Sequence, residues 1–427
     1  MISAKHIIIL STLLLLNVSL ALSNNPNKCT AASIFKNRAA NNPDVLLKQQ
    51  QIEIKIQQWI ANQESNRVSS TEAAVVIPIV IHVVYNNTAQ NISDDQILTQ
   101  IDVLNKDFMN LNANRLLSTH PYFNLTGTAN LEFCLAKIDP SGNATTGITR
   151  TATAQTQFDG DPNTAADERI KFTSKGGIDV WDPTKYLNIW IGKLSGGTLG
   201  YAQFPSEFDG SPETDGVVID YHYFGTIGTV SAPFDQGRTA THEIGHWLNL
   251  EHIWGDEAAC ANDDKVSDTP LQADENYDCP VFPSTSCSNA PNGDLFMNYM
   301  DYVDDGCMSL FTKGQVSRMT ATLNVARSAI KTANKCSATT GISQQKLDQI
   351  KIYPNPVQNY LNIEGLPQTR SRFYNIDIYN ILGERVYSNT IASTQIQFEM
   401  LGFRTGTYVM NIYNDEFSVT QKLTVVK

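Results

Sequence analysis

A chain of 427 residues exceeds one ordinary domain, and an apolar content of 41% supplies enough side chains for real cores. Its 31 Lys and Arg against 43 Asp and Glu leave a formal charge of −12, which argues against nucleic acid as the partner because phosphate binding needs a basic face. Aromatic and aliphatic residues recur throughout, which excludes low-complexity disorder for most of the chain.

The first 23 residues read as a signal peptide. Lys5 precedes an apolar run from Ile7 to Leu16, and Ala21-Leu22-Ser23 offers a small-residue cleavage site. That run is about half the roughly 20 residues a membrane span needs, and none like it follows, so no transmembrane span is expected. Residues 24–72 are polar, with a helical middle around Leu46 to Ile60. At Val75 a continuous β-branched run begins and continues to Tyr85, as in a buried strand; Pro78 within it suggests an edge or a strand start. Ser93 and Gln96 are spaced as a capping box, followed by Ile97, Ile101, Leu104 and Phe108 on one helical face. Leu131–Ala136 and Leu187–Ile191 read as further strands. Strands interleaved with helices indicate an α/β layer.

From Gly255 to Tyr302 regular periodicity disappears. Acidic residues concentrate between Asp256 and Asp305, opposed only by Lys265. The stretch is either a solvated acidic face or a set of calcium-binding loops, because clustered carboxylates repel unless a hard cation bridges them. Cys260, Cys279, Cys287 and Cys307 lie here, and Cys29, Cys134 and Cys336 stand apart. In an exported chain these are candidate staples, and seven leaves at least one thiol over. Cys134 and Cys336 either bridge each other or stay as buried thiols. Thr312 and Gln315 form another capping box, opening a helix through Met319, Leu323 and Ala326. After a polar linker at 337–350, residues 351–427 break into short strand-like runs separated by Asn-Pro and Gly turns, the pattern of a small β-sandwich.

The chemistry concentrates in Thr241-His242-Glu243-Ile244-Gly245-His246-Trp247-Leu248-Asn249-Leu250-Glu251-His252. His242 and His246, four apart on a helix, leave the same face and can bind one ion. His252 lies six residues further, so the chain has to turn back after Leu248. Asn249 stands at that turn, and asparagine tolerates the left-handed conformation that ends a helix. Three neutral imidazoles suit zinc with a fourth position open for water, which zinc brings to a pKa of about 7. Glu243 is placed to take a proton from that water as it attacks a carbonyl.

This stretch resembles the zinc motif of the metzincin metallopeptidases, where glycine usually holds the Asn249 position. Asn298-Tyr299-Met300-Asp301-Tyr302 is similar to their methionine turn. Within the clan, the run from Trp247 to Asp256 and the run from Asp304 to Gln315 resemble the pappalysins, over roughly Val75 to Cys336. The resemblance implies an α+β metzincin-like zinc peptidase domain at 73–336, with a twisted mixed sheet, helices and a loop-rich C-terminal subdomain. It implies one catalytic zinc on His242, His246 and His252, Glu243 as general base, Met300 supporting the site, and Tyr302 stabilising the tetrahedral intermediate. It further implies disulfides Cys260–Cys287 and Cys279–Cys307, and structural calcium through Asp264, Thr269 and Glu275. Leu199-Gly200-Tyr201-Ala202 resembles the family's edge strand, which pairs with an extended substrate. Relatives that cut before Lys or Arg place an acid just after the second loop cysteine. Here that residue is Met308, so an apolar primed-side pocket and no strict Lys/Arg preference are expected.

Cys29 lies in the expected pro-segment at 24–72. It is either a latency ligand to zinc, as in relatives with a cysteine switch, or an incidental thiol. Activation is expected between Arg67 and Thr71. The terminal domain resembles the C-terminal sorting domain of type IX secretion, through Tyr353-Pro354-Asn355-Pro356, Leu361-Asn362-Ile363, the run from Ile378 to Gly383, Gly406-Thr407-Tyr408 and the final Lys422–Lys427. It implies an immunoglobulin-like all-β sandwich recognised by outer-membrane secretion machinery, and a secreted or cell-surface protein; the alternative is a carbohydrate- or protein-binding sandwich. The expected function is a secreted zinc endopeptidase acting on proteins or peptides. The alternatives are a non-catalytic surface-binding protein on the same scaffold and a zinc hydrolase of non-peptide bonds.

Overall fold

The computed structural model describes residues 28–66, 74–160, 168–208, 211–257, 259–336, 350–366, 374–380, 384–414 and 417–427. The signal peptide, the expected activation window from Arg67 to Thr71 and nearly all of the linker lie outside them. Two helices come first, α1 (Ala31–Asn41) and α2 (Pro43–Asn66). The longest strand, β1 (Val75–Tyr85), and helix α3 (Asp94–Phe108) follow. Strands β2 (Leu131–Leu135), β3 (Ile148–Ala152), β4 (Leu187–Gly192) and β5 (Gly200–Ala202) precede the short helix α4 (Pro205–Phe208) and β6 (Val217–Asp220). Helices α5 (Arg238–Trp247) and α6 (Lys313–Val325) complete this part.

The six strands form one sheet in the order β2-β1-β4-β6-β5, with β3 also paired to β1. All pairings are parallel except that of β5 with β6, which makes β5 an antiparallel edge. Strand β1 is therefore central, contrary to the edge position that Pro78 suggested. The Val75 N–H and the Ile79 carbonyl bond toward β2, so Pro78 turns its missing donor toward β4. That ladder starts only at Ile79–Leu187, one residue later, so no bond is lost. Helix α3 packs on β2 and on α5. Ser93 caps it by accepting from the Gln96 N–H, but the Gln96 side chain does not reciprocate. It reaches instead to the Phe224 carbonyl and the Thr229 hydroxyl, pinning the loop before α5. At α6 both halves of the Thr312–Gln315 box form.

Three disulfides are present, Cys134–Cys336, Cys260–Cys287 and Cys279–Cys307, and Cys29 is a buried free thiol. The last two cross each other in sequence and staple the irregular stretch, which lacks helices and strands to hold it. The terminal domain has its own apolar core and two antiparallel sheets, as a sandwich requires. One is three-stranded, from β7 (Lys351–Tyr353), β8 (Tyr360–Glu364) and β11 (Ile396–Glu399). The other is four-stranded, from β9 (Tyr374–Asn380), β10 (Arg385–Ile391), β12 (Gly406–Asn414) and β13 (Phe417–Val425). No helix among the described residues is long and apolar enough to cross a membrane.

Candidate metal centre and substrate cleft

Helix α5, buried along its whole length, carries His242 and His246 and ends at Trp247, one residue after the second histidine. Asn249 takes φ 68°, the left-handed turn its residue type allows. Its N–H bonds to the His246 carbonyl and that of Leu250 to the Gly245 carbonyl, so the chain reverses and returns His252 to the same point. The three Nε2 atoms stand 3.1–3.2 Å apart. Each Nδ1 is already committed as a donor: His242 to the Tyr299 carbonyl at 2.7 Å, His246 to the Leu250 carbonyl at 2.7 Å and His252 to the Asp256 carboxylate at 2.5 Å. The tautomers are thereby set, and three Nε2 lone pairs converge with no proton between them. Burial holds His242 well below its usual pKa and His246 down at about 3, so these rings are neutral. A donor set of this kind fits a zinc ion. Among the described residues, Cys29, His242, His246 and His252 are the group of acids, thiols and imidazoles close enough to share a metal, their ligand atoms lying within 4.8 Å.

Glu243 is fully buried beside them, and burial raises its carboxyl well above the usual range. Oε1 has no hydrogen-bond partner among the described residues, and Oε2 lies 3.5 Å from the Cys29 thiol. It packs against Gly200 on the edge strand: a Cβ there would stand 3.2 Å from Oε1 and 2.9 Å from the Val218 carbonyl. A second glycine serves the floor of the site. A Cβ on Gly245 would lie 2.4 Å from the Met300 sulfur, so glycine lets the methionine turn press against α5. The Met300 N–H bonds to Asn298, whose side chain pairs doubly with Gln315, linking that turn to the cap of α6. Tyr302 packs edge-on against His252, and its hydroxyl donates to the Cys29 carbonyl at 3.1 Å.

The N-terminal segment fills this cleft. Lys28 and Thr30 flank Cys29 and exchange main-chain hydrogen bonds with Gly200, running parallel to β5. Lys28 enters a pocket lined by Phe234, Arg238, Tyr302, Asp305 and Met308. Its Nζ donates to the Val303 carbonyl at 2.5 Å and lies 4.0 Å from the centre of the Phe234 ring. Burial lowers the Lys28 pKa, and Asp305, Asp304, Asp301 and Asp278 oppose that shift. Met308 lines the pocket, and the buried acids Asp301 and Asp305 line it too. A short turn at Asp305–Cys307 folds Asp305 inward, where it accepts from the N–H groups of Gln236 and Arg238. The acid comes from two residues before the cysteine, a placement that inspecting the residue after it could not reveal.

The residues expected to hold calcium are only partly brought together. Asp264 is buried, with Oδ1 accepting from the Val266 N–H and the Thr269 hydroxyl and Oδ2 without a partner among the described residues. Burial pushes it up to about 7, the mark of a carboxylate that lacks a counter-charge. Glu275 instead accepts from the Tyr277 hydroxyl. Asp256, Asp305 and Lys28 were missed as site residues by sequence reading; only Asp256, four after His252, carried a spacing signal.

Comparison with known proteins decides the family. The pregnancy-associated plasma protein-A family, peptidase family M43, matches residues 173–324. Extracellular metalloprotease 1 of Coccidioides posadasii is 33% identical over 272 residues, spanning 61% of this chain and 81% of that one. This chain belongs to the M43 peptidase family. A further relative, the extracellular metalloprotease of Arthroderma otae, is 29% identical over 256 residues, spanning 59% of this chain and 78% of that one. Among solved structures, mature mirolysin of Tannerella forsythia with a cleaved peptide is 49% identical, covering 62% of this chain and 98% of its own, at a TM-score of 0.60. A promirolysin mutant from the same organism is 45% identical, covering 72% of this chain and 99% of its own, at a TM-score of 0.63. The secretion system C-terminal sorting domain matches residues 351–426. This M43 peptidase is thus a metalloendopeptidase with a type IX secretion tail, secreted or displayed at the cell surface.

Proposed function

We propose that the protein is a zinc endopeptidase made as a zymogen, in which Glu243 acts as general base and general acid on a substrate bound along β5. The observation that carries this reading is the convergence of three lone-pair Nε2 atoms beside a buried, partly unpartnered carboxylate. Zinc on His242, His246 and His252 would polarise the scissile carbonyl and acidify water. Glu243 takes the proton as the water oxygen bonds to the carbonyl carbon, and hands it to the amine nitrogen as the C–N bond breaks. Its raised pKa suits a group that has to hold that proton near neutral pH. The Tyr302 hydroxyl, which donates here to a main-chain carbonyl beside the imidazoles, would donate to the substrate carbonyl as charge develops on its oxygen. Gly200 supplies main-chain donors and acceptors for an extended peptide.

Residues 24–72 act as the pro-segment, 73–336 as the catalytic domain, 337–350 as linker and 351–427 as sorting domain. Cys29 is the latency ligand, supported by its place among the three imidazoles. Lys28 marks the primed-side pocket as one that takes basic side chains, supported by the Asp305 carboxylate within it. Asp264 and Thr269 contribute to a structural calcium site, supported by the orphaned Asp264 oxygen. The test is digestion of a proteome-derived peptide library by activated wild type beside Glu243→Ala, with new termini read by mass spectrometry. Cleavage by wild type alone supports the peptidase. Silence of both, with zinc bound and the pro-segment removed, favours a binding protein on a peptidase scaffold.

A further inference from the structure

Beyond the imidazoles, on the side opposite the Lys28 pocket, the N-terminal segment seats a second cation. Arg38 of α1 places its guanidinium between two buried carboxylates, pairing with Glu168 through one nitrogen and with Glu207 through the other. The second nitrogen also reaches Gln203 at 3.4 Å. Lys171, fully buried, donates to Glu168 at 2.5 Å and balances one of the two acids. With Arg38 in place the cluster is neutral; without it one carboxylate stands uncompensated. Tyr201 borders the same cluster, 1% exposed, and its hydroxyl has no hydrogen-bond partner among the described residues. Tyr201 also lies on β5, next to the Gly200 main chain that pairs with the segment. Arg38 is about a quarter exposed (24%), so the pocket opens to solvent where the segment covers it.

We infer that, once the pro-segment is gone, the Glu168–Glu207 pair is a substrate subsite for an arginine or lysine side chain on the amino side of the scissile bond. The inference rests on the peptidase reading above. Its placement follows from the path of the segment. Lys28 occupies the primed-side pocket, Cys29 the imidazoles, and α1 carries the chain away on the other side, where Phe35 packs on Phe204 and Phe204 on His246. From Ala31 to Arg38 the helix advances about 10 Å. An extended substrate covers that distance in about three residues, so the pocket receives a side chain about three or four positions before the cut. A guanidinium held by two carboxylates is the geometry arginine satisfies best.

The test uses the chain freed of its first 72 residues by limited proteolysis and loaded with zinc. Peptides carry lysine after the scissile bond and either arginine or its neutral isostere citrulline, scanned from the second to the fifth position before it. Binding is measured by calorimetry on the Glu243→Ala protein, cleavage on the active one. We expect arginine to bind about tenfold tighter than citrulline at one of these positions, through KM with kcat little changed, and Glu207→Gln to erase the difference. Equal affinity for arginine and citrulline at every position overturns the subsite, and because it compares peptides on one unaltered pocket it does not depend on how Glu207→Gln folds. Discrimination in binding without any cleavage by the active protein would sink the peptidase reading and leave the subsite standing. Normal cleavage with no discrimination would do the reverse.

Discussion

The Cys29 sulfur lies 3.5 Å from Oε2 of Glu243, within 4.8 Å of the three imidazole nitrogens. On the reading proposed above, one thiol would block two functions at once, meeting the metal that the histidines hold and engaging the general base. Cys29→Ala should therefore turn the intact chain from silent to active, with cleavage of its own pro-segment accelerated about tenfold or more. The measurement is the rate of conversion of purified full-length protein on gels, in wild type and variant. A variant as stable to self-cleavage as wild type would assign latency to Lys28 and α1 alone.

Glu243→Gln should lower kcat by about 10²–10⁴ while leaving zinc bound at one per chain, because the three imidazoles keep their Nδ1 partners. Metal analysis beside single-turnover kinetics separates loss of the base from loss of the ion.

Asp305→Asn keeps an acceptor for the Gln236 and Arg238 N–H groups but removes the charge facing Lys28. Cleavage before lysine or arginine should fall about tenfold relative to cleavage before methionine or leucine. An unchanged preference profile would move the charge recognition to Asp304 or Asp278.

On the calcium site proposed above, calcium removal should lower the melting temperature by about 2–4 °C and open the stretch around Asp264 to proteolysis, since Oδ2 has no partner among the described residues to replace the ion. A calcium-selective chelator at fixed zinc makes the comparison, and identical melting curves would count against the site.

His82 gives a pH prediction away from the metal centre. Buried in β1 between Thr149 and Asn188, it is held by desolvation down at about 4, against about 6.5 in a free chain. Between those values the unfolded chain binds a proton that the folded one refuses, so stability is lost as pH falls from about 6.5 to about 4, by about 3 kcal/mol. His82→Gln should flatten that part of the profile in denaturant titrations, relative to wild type.

Much of this protein was legible before folding because the relevant information is local. Val75–Tyr85, Leu187–Ile191 and the helix after Ser93 fall where composition and periodicity put them, and the two histidines four apart need only helical geometry to share a face. The return of His252 was readable from one asparagine able to take φ 68°. Pro78 misled, since its cost depends on which neighbour its missing N–H would face, and that is a property of the sheet. Gln96 misled in the same way, because tertiary acceptors 125–133 residues away competed for its side chain and won.

By itself the sequence determined the zinc-type donor set, the reversal after Leu248 and the division into a peptidase-like part and a terminal β part, all of which follow from residue types at short spacing. Only the tertiary structure decided that Asp305 joins Met308 in the pocket Lys28 enters, that Lys28 and Arg38 sit beside acidic groups on either side of the imidazoles, and that Cys134 bridges Cys336. The contacts of Lys28 with Val303, of Arg38 with Glu168 and of Cys134 with Cys336 join residues 130–275 positions apart. At such separations no local conformational rule relates the partners; they meet because one sheet edge and one buried helix bring distant loops to the same few ångströms.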